Sequence, residues 1–260
     1  MFVDMEVRGG SVGIITMNRP ATNSLNILLL SELSQAIDAF EEQKEIHVVL
    51  IKSSLSFGFS SGLDLGSFYK AGDREKTGWN IYNSVKQVFD INQKIVKSAK
   101  IYIAVLSGPV IGSAVSIALS CDLRIANETM WLWLPDPQYG GLLADGGSEM
   151  LAHLIGSSRA KMALLTNDRI SAKKAWDWGL IYDMPDGPNL ELISLNISRR
   201  LASYSYATLR ETKKAFNDGV FGTFRRDELM NTAFSFEMYQ RLEQYCHNGI
   251  KGRNNDVASK

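Results

Sequence analysis

Two glycine-containing loops hold the backbone best suited to chemistry. The first reads Phe57-Gly58-Phe59-Ser60-Ser61-Gly62-Leu63-Asp64-Leu65, and the second Leu106-Ser107-Gly108-Pro109-Val110-Ile111-Gly112-Ser113-Ala114. Each follows an apolar, strand-like run and precedes a helix-like one. Its N–H groups are therefore free of strand pairing and available to a ligand. Two such groups converging on one point hold a developing oxyanion, a contribution of about 3 kcal/mol per donor. The helix opening near Ser113 turns its positive end toward the same point. Spacing alone favours ordinary turns ahead of helices, since glycine-rich loops are common. Neither loop matches GxxxxGK[ST], so a nucleotide phosphate loop is not expected.

A second stretch, Leu134 to Glu149, carries two carboxylates, Asp136 and Asp145. By residue type alone Asp136 suits a turn beside Pro135 and Pro137. Asp145 suits the N-cap of a helix opened by Gly146-Gly147-Ser148-Glu149. If both line an apolar pocket, their proton affinities separate and leave one acid and one base. Trp131, Trp133 and Tyr139 flank this stretch, as core packing or as an aromatic wall. Tyr82 and Lys86 stand one helical turn apart, either as a solvated pair or reaching toward the same pocket.

Other chemistries find little support. Lys+Arg and Asp+Glu both number 28, so there is no basic excess to bind nucleic acid. Cys121 and Cys246 form no CxxC pair and read as thiols in a reducing compartment. His47, His153 and His247 are scattered without metal-ligand spacing, so no metal is expected. No apolar run reaches the roughly 18 residues of a membrane span. The acidic start lacks a basic-then-apolar signal pattern, which points to the cytoplasm, or to an organelle matrix if a transit peptide has been removed.

The elements that must position the loops alternate. Ser11–Met17 is rich in β-branched residues and reads as a strand. Leu29, Leu33, Ile37 and Phe40 predict an amphipathic helix over 27–43. His47–Lys52 and Ile101–Leu106 are short buried strands, and Ile81, Val85, Val88 and Ile95 mark a long helix between them. Ser113–Ser120 is small and apolar, suited to a helix packed on a sheet, and Asp122–Ala126 is strand-like. Ser171 caps a helix that Gly179 stops. Beyond residue 200 the pattern is helical, with Leu201, Leu209, Phe216, Phe234, Phe236, Tyr239 and Leu242 as expected buried positions. This alternation predicts an α/β fold with mostly parallel, buried strands.

These segments, in order, resemble the crotonase (enoyl-CoA hydratase/isomerase) superfamily. Phe59-Ser60-Ser61-Gly62-Leu63-Asp64-Leu65 is similar to its first oxyanion loop. Ser107 to Ala114, followed by Ser120-Cys121-Asp122-Leu123-Arg124, is similar to its second. Asn18-Arg19-Pro20 with Asn23-Ser24-Leu25 resembles its early CoA-contacting turn. Leu164-Leu165-Thr166 through Gly179-Leu180-Ile181 resembles its later helix–turn segment. The resemblance implies a spiral of ββα units over residues 1–200. It also implies a C-terminal helical trimerisation region, 201–260, in the same domain, and a homotrimer or dimer of trimers. By this matching the N–H groups of Ser61 and Ser113 form the oxyanion hole. Ser24, Gly62, Leu63, Asp64, Leu65 and Gly112 contact an acyl-CoA thioester. No cofactor beyond the CoA moiety is implied.

The resemblance also bears on the reaction. Hydratases of this superfamily use two glutamates, and the first falls at Ser116, which is no general base at neutral pH. A two-glutamate hydratase is therefore not expected. The isomerases keep the second carboxylate alone, and Asp136 stands at its place. The expectation is an enoyl-CoA isomerase that shifts a double bond through an oxyanion-stabilised dienolate, with Asp136 as base. Gly141-Leu142-Leu143-Ala144-Asp145 also resembles dienoyl-CoA isomerases and the Asp nucleophile of chlorobenzoyl-CoA dehalogenases. A dienoyl isomerase or an Asp145-dependent dehalogenase or hydrolase is thus the alternative, with an inactive acyl-CoA-binding relative as the third. The stretch 66–80 is expected to be a short helix and a loop over the acyl pocket.

Overall fold

The computed structural model of the chain describes residues 1–218 and 224–252. Five strands form its main sheet: β1 (Val3–Arg8), β2 (Val12–Met17), β3 (Val48–Ser53), β4 (Ile101–Leu106) and β6 (Leu123–Ala126), in the order β1-β2-β3-β4-β6. β1 and β2 are an antiparallel hairpin turned by Gly9 and Gly10, both at positive φ. The other pairings are parallel. Alternate side chains of β3 and β4 feed two separate cores. Val49, Ile51, Tyr102, Ala104 and Leu106 enter one core. Val48, Leu50, Ile101, Ile103 and Val105 enter the other. Burial on both faces explains why these strands read as continuous apolar runs.

Helices α1 (Ile27–Glu42), α3 (Arg74–Lys97) and α4 (Ser113–Ser120) pack into the first core. The start of α1 is fixed by Asn26, whose side chain accepts from Leu29 N–H at 2.8 Å. α4 is buried along its whole length, as its small residues allow. α8 (Leu190–Ala202) covers the second core through Leu190 and Ile197. α3 begins at Arg74, so the expected loop after the short helix α2 (Leu65–Phe68) is only a few residues long.

A second sheet was not anticipated from sequence. β5 (Pro109–Ile111), β7 (Trp131–Trp133) and β8 (Ile170–Ser171) pair in the order β5-β7-β8. Part of the second glycine loop is therefore strand, and it carries Trp131 and Trp133 beside it. α5 (Gly147–Ile155), α6 (Ser157–Thr166) and α7 (Ala172–Asp177) follow this sheet or flank it.

At the C-terminal end come α9 (Tyr206–Asn217), α10 (Arg226–Ala233) and α11 (Phe236–Gly252). α10 and α11 return to the core, where Leu229, Ala233, Met238 and Leu242 pack with Phe68, Ile81, Val85 and Ala144. Gly78 lets the Phe234 ring close on α3, since a Cβ there would lie 2.7 Å from it. Two expected core residues are at the surface: Phe216 is 73% exposed and Phe236 59% exposed. On α11 the i, i+4 pair Met238 and Leu242 takes the core side, which turns Phe236 outward. On α9 the buried position is instead Lys213, whose ammonium donates to Ile95 O, Lys100 O and Asp122 Oδ2 at 2.8, 2.8 and 2.9 Å. Among the described residues no helix is long and apolar enough to cross a membrane.

Candidate active site

The two glycine loops are zipped together. Phe59 N–H donates to Ser107 O at 2.9 Å, Ser60 N–H to Pro109 O at 3.2 Å and Ile111 N–H to Ser60 O at 3.1 Å. Gly62 then passes so close to the second loop that a Cβ would lie 2.5 Å from Ile111 O, and its φ of 78° is itself a glycine conformation. The early turn locks onto the same place. Buried Asn23 donates to Phe59 O at 3.1 Å and to Ser53 Oγ at 2.8 Å, while Ser60 Oγ donates to Asn23 O at 2.7 Å.

This hydrogen bonding decides which N–H groups are free. Leu25 N–H donates to Gly62 O at 2.7 Å and Asp64 N–H donates to Leu25 O at 3.1 Å. The peptide groups on both sides of Leu63 thus face Leu25, and the Leu63 N–H points the other way. It makes no hydrogen bond among the described residues, and neither does the Ser113 N–H at the first position of α4. Ser61, expected to supply the first oxyanion donor, does not have its N–H available. That N–H donates to Thr22 O at 3.0 Å, and the Ser61 hydroxyl shares a hydrogen bond with that of Thr22 at 2.8 Å. The sequence signal for Leu63 was its place just after the glycine that brings the loops together.

Both free N–H groups belong to residues lining a cavity of about 210 Å³. Of the expected ligand contacts, Ser61, Gly62, Leu63, Leu65, Gly112 and Ser113 line it. Ser24 and Asp64 do not. They flank Arg19, which donates to Ser24 O and to Asp64 Oδ2, each at 2.7 Å. Trp133 and Tyr139 are in the wall, whereas Lys86 is drawn to Asp90 and Tyr82 packs edge-on against Trp79, so that pair is not part of the site. Thr232 of α10 and Met238 and Tyr245 of α11 complete the wall. Nothing in their local sequence marks them, because only the return of the C-terminal helices brings them there.

Asp136 faces this cavity. It opens a tight turn, Asp136–Tyr139, between two prolines, closed by Gly140 in the left-handed conformation. Asp136 O accepts from Gly141 N–H at 2.8 Å, which fixes the turn without engaging the side chain. Asp136 Oδ2 is buried and has no hydrogen-bond partner among the described residues. Burial, and then the nearby charge of Asp145, push the carboxyl up to about 7 from its ordinary 3.8.

Asp145 lies behind the wall and is fully buried. Its Oδ1 accepts from Ser116 Oγ at 2.7 Å and from Gly147 N–H at 3.1 Å, but the N-cap of α5 is Gly146, so Asp145 stands one residue before the cap position its sequence suggests. Asn92 Nδ2 donates to its carbonyl at 2.9 Å. Burial raises its proton affinity, against the opposing pull of the Ser113 and Ser116 hydroxyls and the Gly147 N–H. The space around Ser116 is filled. A Cβ on Gly147 would collide with Ser116 Oγ and lie 2.9 Å from its Cβ. Among the described residues no group of three or more His, Cys, Asp or Glu is placed to hold a metal ion.

The fold and this loop pair are found in known proteins. A family model described as enoyl-CoA hydratase/isomerase matches residues 8–247. The chain belongs to the enoyl-CoA hydratase/isomerase family. Among its family relatives is a probable mitochondrial enoyl-CoA hydratase of Dictyostelium discoideum, 30% identical over 211 residues, covering 80% of this chain and 73% of the relative. A short-chain enoyl-CoA hydratase of Clostridium acetobutylicum is 28% identical over 213 residues, covering 81% and 79%. An enoyl-CoA hydratase/isomerase structure from Xanthobacter autotrophicus Py2 superposes with a TM-score of 0.84 at 27% identity, covering 96% and 95%. The enoyl-CoA hydratase structure from Bacillus halodurans has a TM-score of 0.86 at 22% identity, covering 94% and 100%, and shares the fold. The family's crotonase-type α/β architecture is therefore that of this chain.

Proposed function

We propose that this protein is an acyl-CoA enzyme of the enoyl-CoA isomerase type. The thioester carbonyl lies between the Leu63 and Ser113 N–H groups. Asp136, ionised, takes a proton from C2 of a 3-enoyl thioester. The electrons move into a dienolate whose oxyanion the two N–H groups hold, and the same carboxyl returns the proton at C4. The carbon–carbon double bond moves from C3–C4 to C2–C3, and no atom is gained or lost. The observation that carries this reading is Asp136 itself: a carboxylate whose Oδ2 has no hydrogen-bond partner among the described residues, at the wall of the cavity that Leu63 and Ser113 also line.

The relatives named above are called hydratases. Against water addition here stands Ser116, which has no base to offer and whose surroundings are occupied by Asp145 and Gly147. Asp145 as a nucleophile finds less support than Asp136 as a base, because Asp145 is fully buried and is not in the cavity wall. For assembly we propose a homotrimer or dimer of trimers, to be measured by light scattering on the eluting protein.

The test follows two products from matched substrates. A 3-enoyl-CoA is incubated with the enzyme, and the rise of the conjugated 2-enoyl thioester is followed by absorbance and NMR. A 2-enoyl-CoA is followed for loss of conjugation through water addition. Conjugation formed from the first substrate without hydration of the second supports the isomerase. Hydration at a comparable rate would overturn it.

A further inference from the structure

The cavity wall mixes two kinds of group. Asp136, Ser113 and Leu63 line it, where the thioester would react. Ile81 and Val85 of α3, Leu229 of α10 and Met238 of α11 add the apolar cluster of the C-terminal helices to the same wall. Among the described residues that line it, none is a lysine, arginine or histidine. An acyl chain ending in a carboxylate would leave that charge unpaired in an apolar recess, which costs several kcal/mol.

The volume limits the occupant. A dry cavity of about 150 Å³ takes up one benzene, six heavy atoms, or roughly 25 Å³ for each. At that ratio about 210 Å³ holds roughly eight heavy atoms. Part of that space belongs to the carbonyl and C2, so the chain is of medium length. A four-carbon chain would leave part of that volume empty and lose apolar contacts with its wall. Each methylene buried contributes about 0.8 kcal/mol, so two to four methylenes separate a medium acyl group from a short one by roughly ten- to a hundredfold in affinity.

We infer that the substrate is an uncharged, medium-chain acyl thioester of about six to eight carbons, measured for length by α10 and α11. This rests on the reading of the site as an acyl-CoA site. It does not depend on which proton Asp136 moves.

Binding of saturated acyl-CoAs tests it without catalysis. Butyryl-, hexanoyl-, octanoyl-, dodecanoyl- and adipyl-CoA are titrated by calorimetry into the wild type and into Leu229→Ala and Met238→Ala. The expected optimum is hexanoyl or octanoyl, at least tenfold tighter than butyryl or adipyl. Either alanine variant moves the optimum toward dodecanoyl. A flat series, an optimum at butyryl or dodecanoyl in the wild type, or adipyl bound as tightly as hexanoyl would overturn the inference while leaving the acyl-CoA reading intact. Failure of every acyl-CoA to bind would instead overturn that reading, and this inference with it. If one alanine variant is unfolded by circular dichroism, the wild-type series and the other variant still decide the matter.

Discussion

Replacing Asp136 by asparagine should destroy activity and make the protein more stable. The side chains are nearly the same size, so the change removes charge and proton transfer and little packing. A carboxyl held at about 7 in the folded chain, against an ordinary 3.8, binds its proton more tightly folded than unfolded. Its contribution to stability is full below about pH 4, where both states are protonated. It is lost as pH rises toward 7, because the unfolded chain then ionises freely and the folded one does not. At about 1.4 kcal/mol per pH unit, the gap of about three units sets a ceiling near 4 kcal/mol. Water reaching the cavity lowers the realised value to roughly 2 kcal/mol, or about 4–8 °C in a chain of this size. Asp136→Asn should therefore melt higher than the wild type at pH 8, with the difference shrinking to nothing near pH 4. In the same variant double-bond migration should fall by about 10² to 10⁴. The assay is a set of thermal melts from pH 4 to 8 beside initial rates at the same pH values. Parallel melting curves for the two proteins would refute the burial argument, and undiminished turnover would refute the assignment of the base.

Three further changes probe the surroundings of that carboxylate. Asp145→Asn removes the negative charge that helps hold the Asp136 proton. The rising limb of the pH–rate profile should move to lower pH, and an unmoved limb would mean that the two groups do not interact. Gly147→Ala should cost about 1–3 kcal/mol in chemical denaturation by overpacking against Ser116. Adding Ser116→Ala should recover part of it, since the colliding hydroxyl is gone, whereas strictly additive losses would place the strain elsewhere. Gly78→Ala should push the Phe234 ring off α3. It should weaken acyl-CoA binding severalfold by calorimetry while leaving the bound complex's turnover nearly unchanged, and a fall in turnover alone would contradict that placement.

What could be read in the sequence follows the range of the forces involved. The strands Val48–Ser53 and Ile101–Leu106 announced themselves because burial on both faces demands an unbroken apolar run. α1 was legible from a single apolar stripe, while its Asn26 cap emerged only in the structure. The second sheet was not, because three- and two-residue strands carry no periodicity and exist only by pairing across long separations. Phe216 and Phe236 were misplaced for a related reason: residue type gives the tendency to bury, and the partner helix gives the side that does. Within the site, the two loops were visible as local patterns, and the family resemblance named Ser113 and Asp136, which line the cavity. That Ser61 N–H is engaged and Leu63 N–H is not was invisible, since it depends on Thr22 accepting one N–H and Leu25 turning the other outward. Thr232, Met238 and Tyr245 could come only from tertiary structure.

The ammonium of Lys213 has a consequence for how the chain can be divided. It reaches back 118 residues to Ile95 O and 113 to Lys100 O, closing off carbonyls at the junction of α3 and β4 that would otherwise be buried without donors. A fragment ending between residues 172 and 205 would contain every strand and both glycine loops, yet it would lack α9 and the amine that holds these carbonyls. The strand-bearing part is thus no detachable module: a split protein, a circular permutant or a fusion boundary placed between residues 172 and 205 must deliver the second piece, amine included, to cover the junction of α3 and β4.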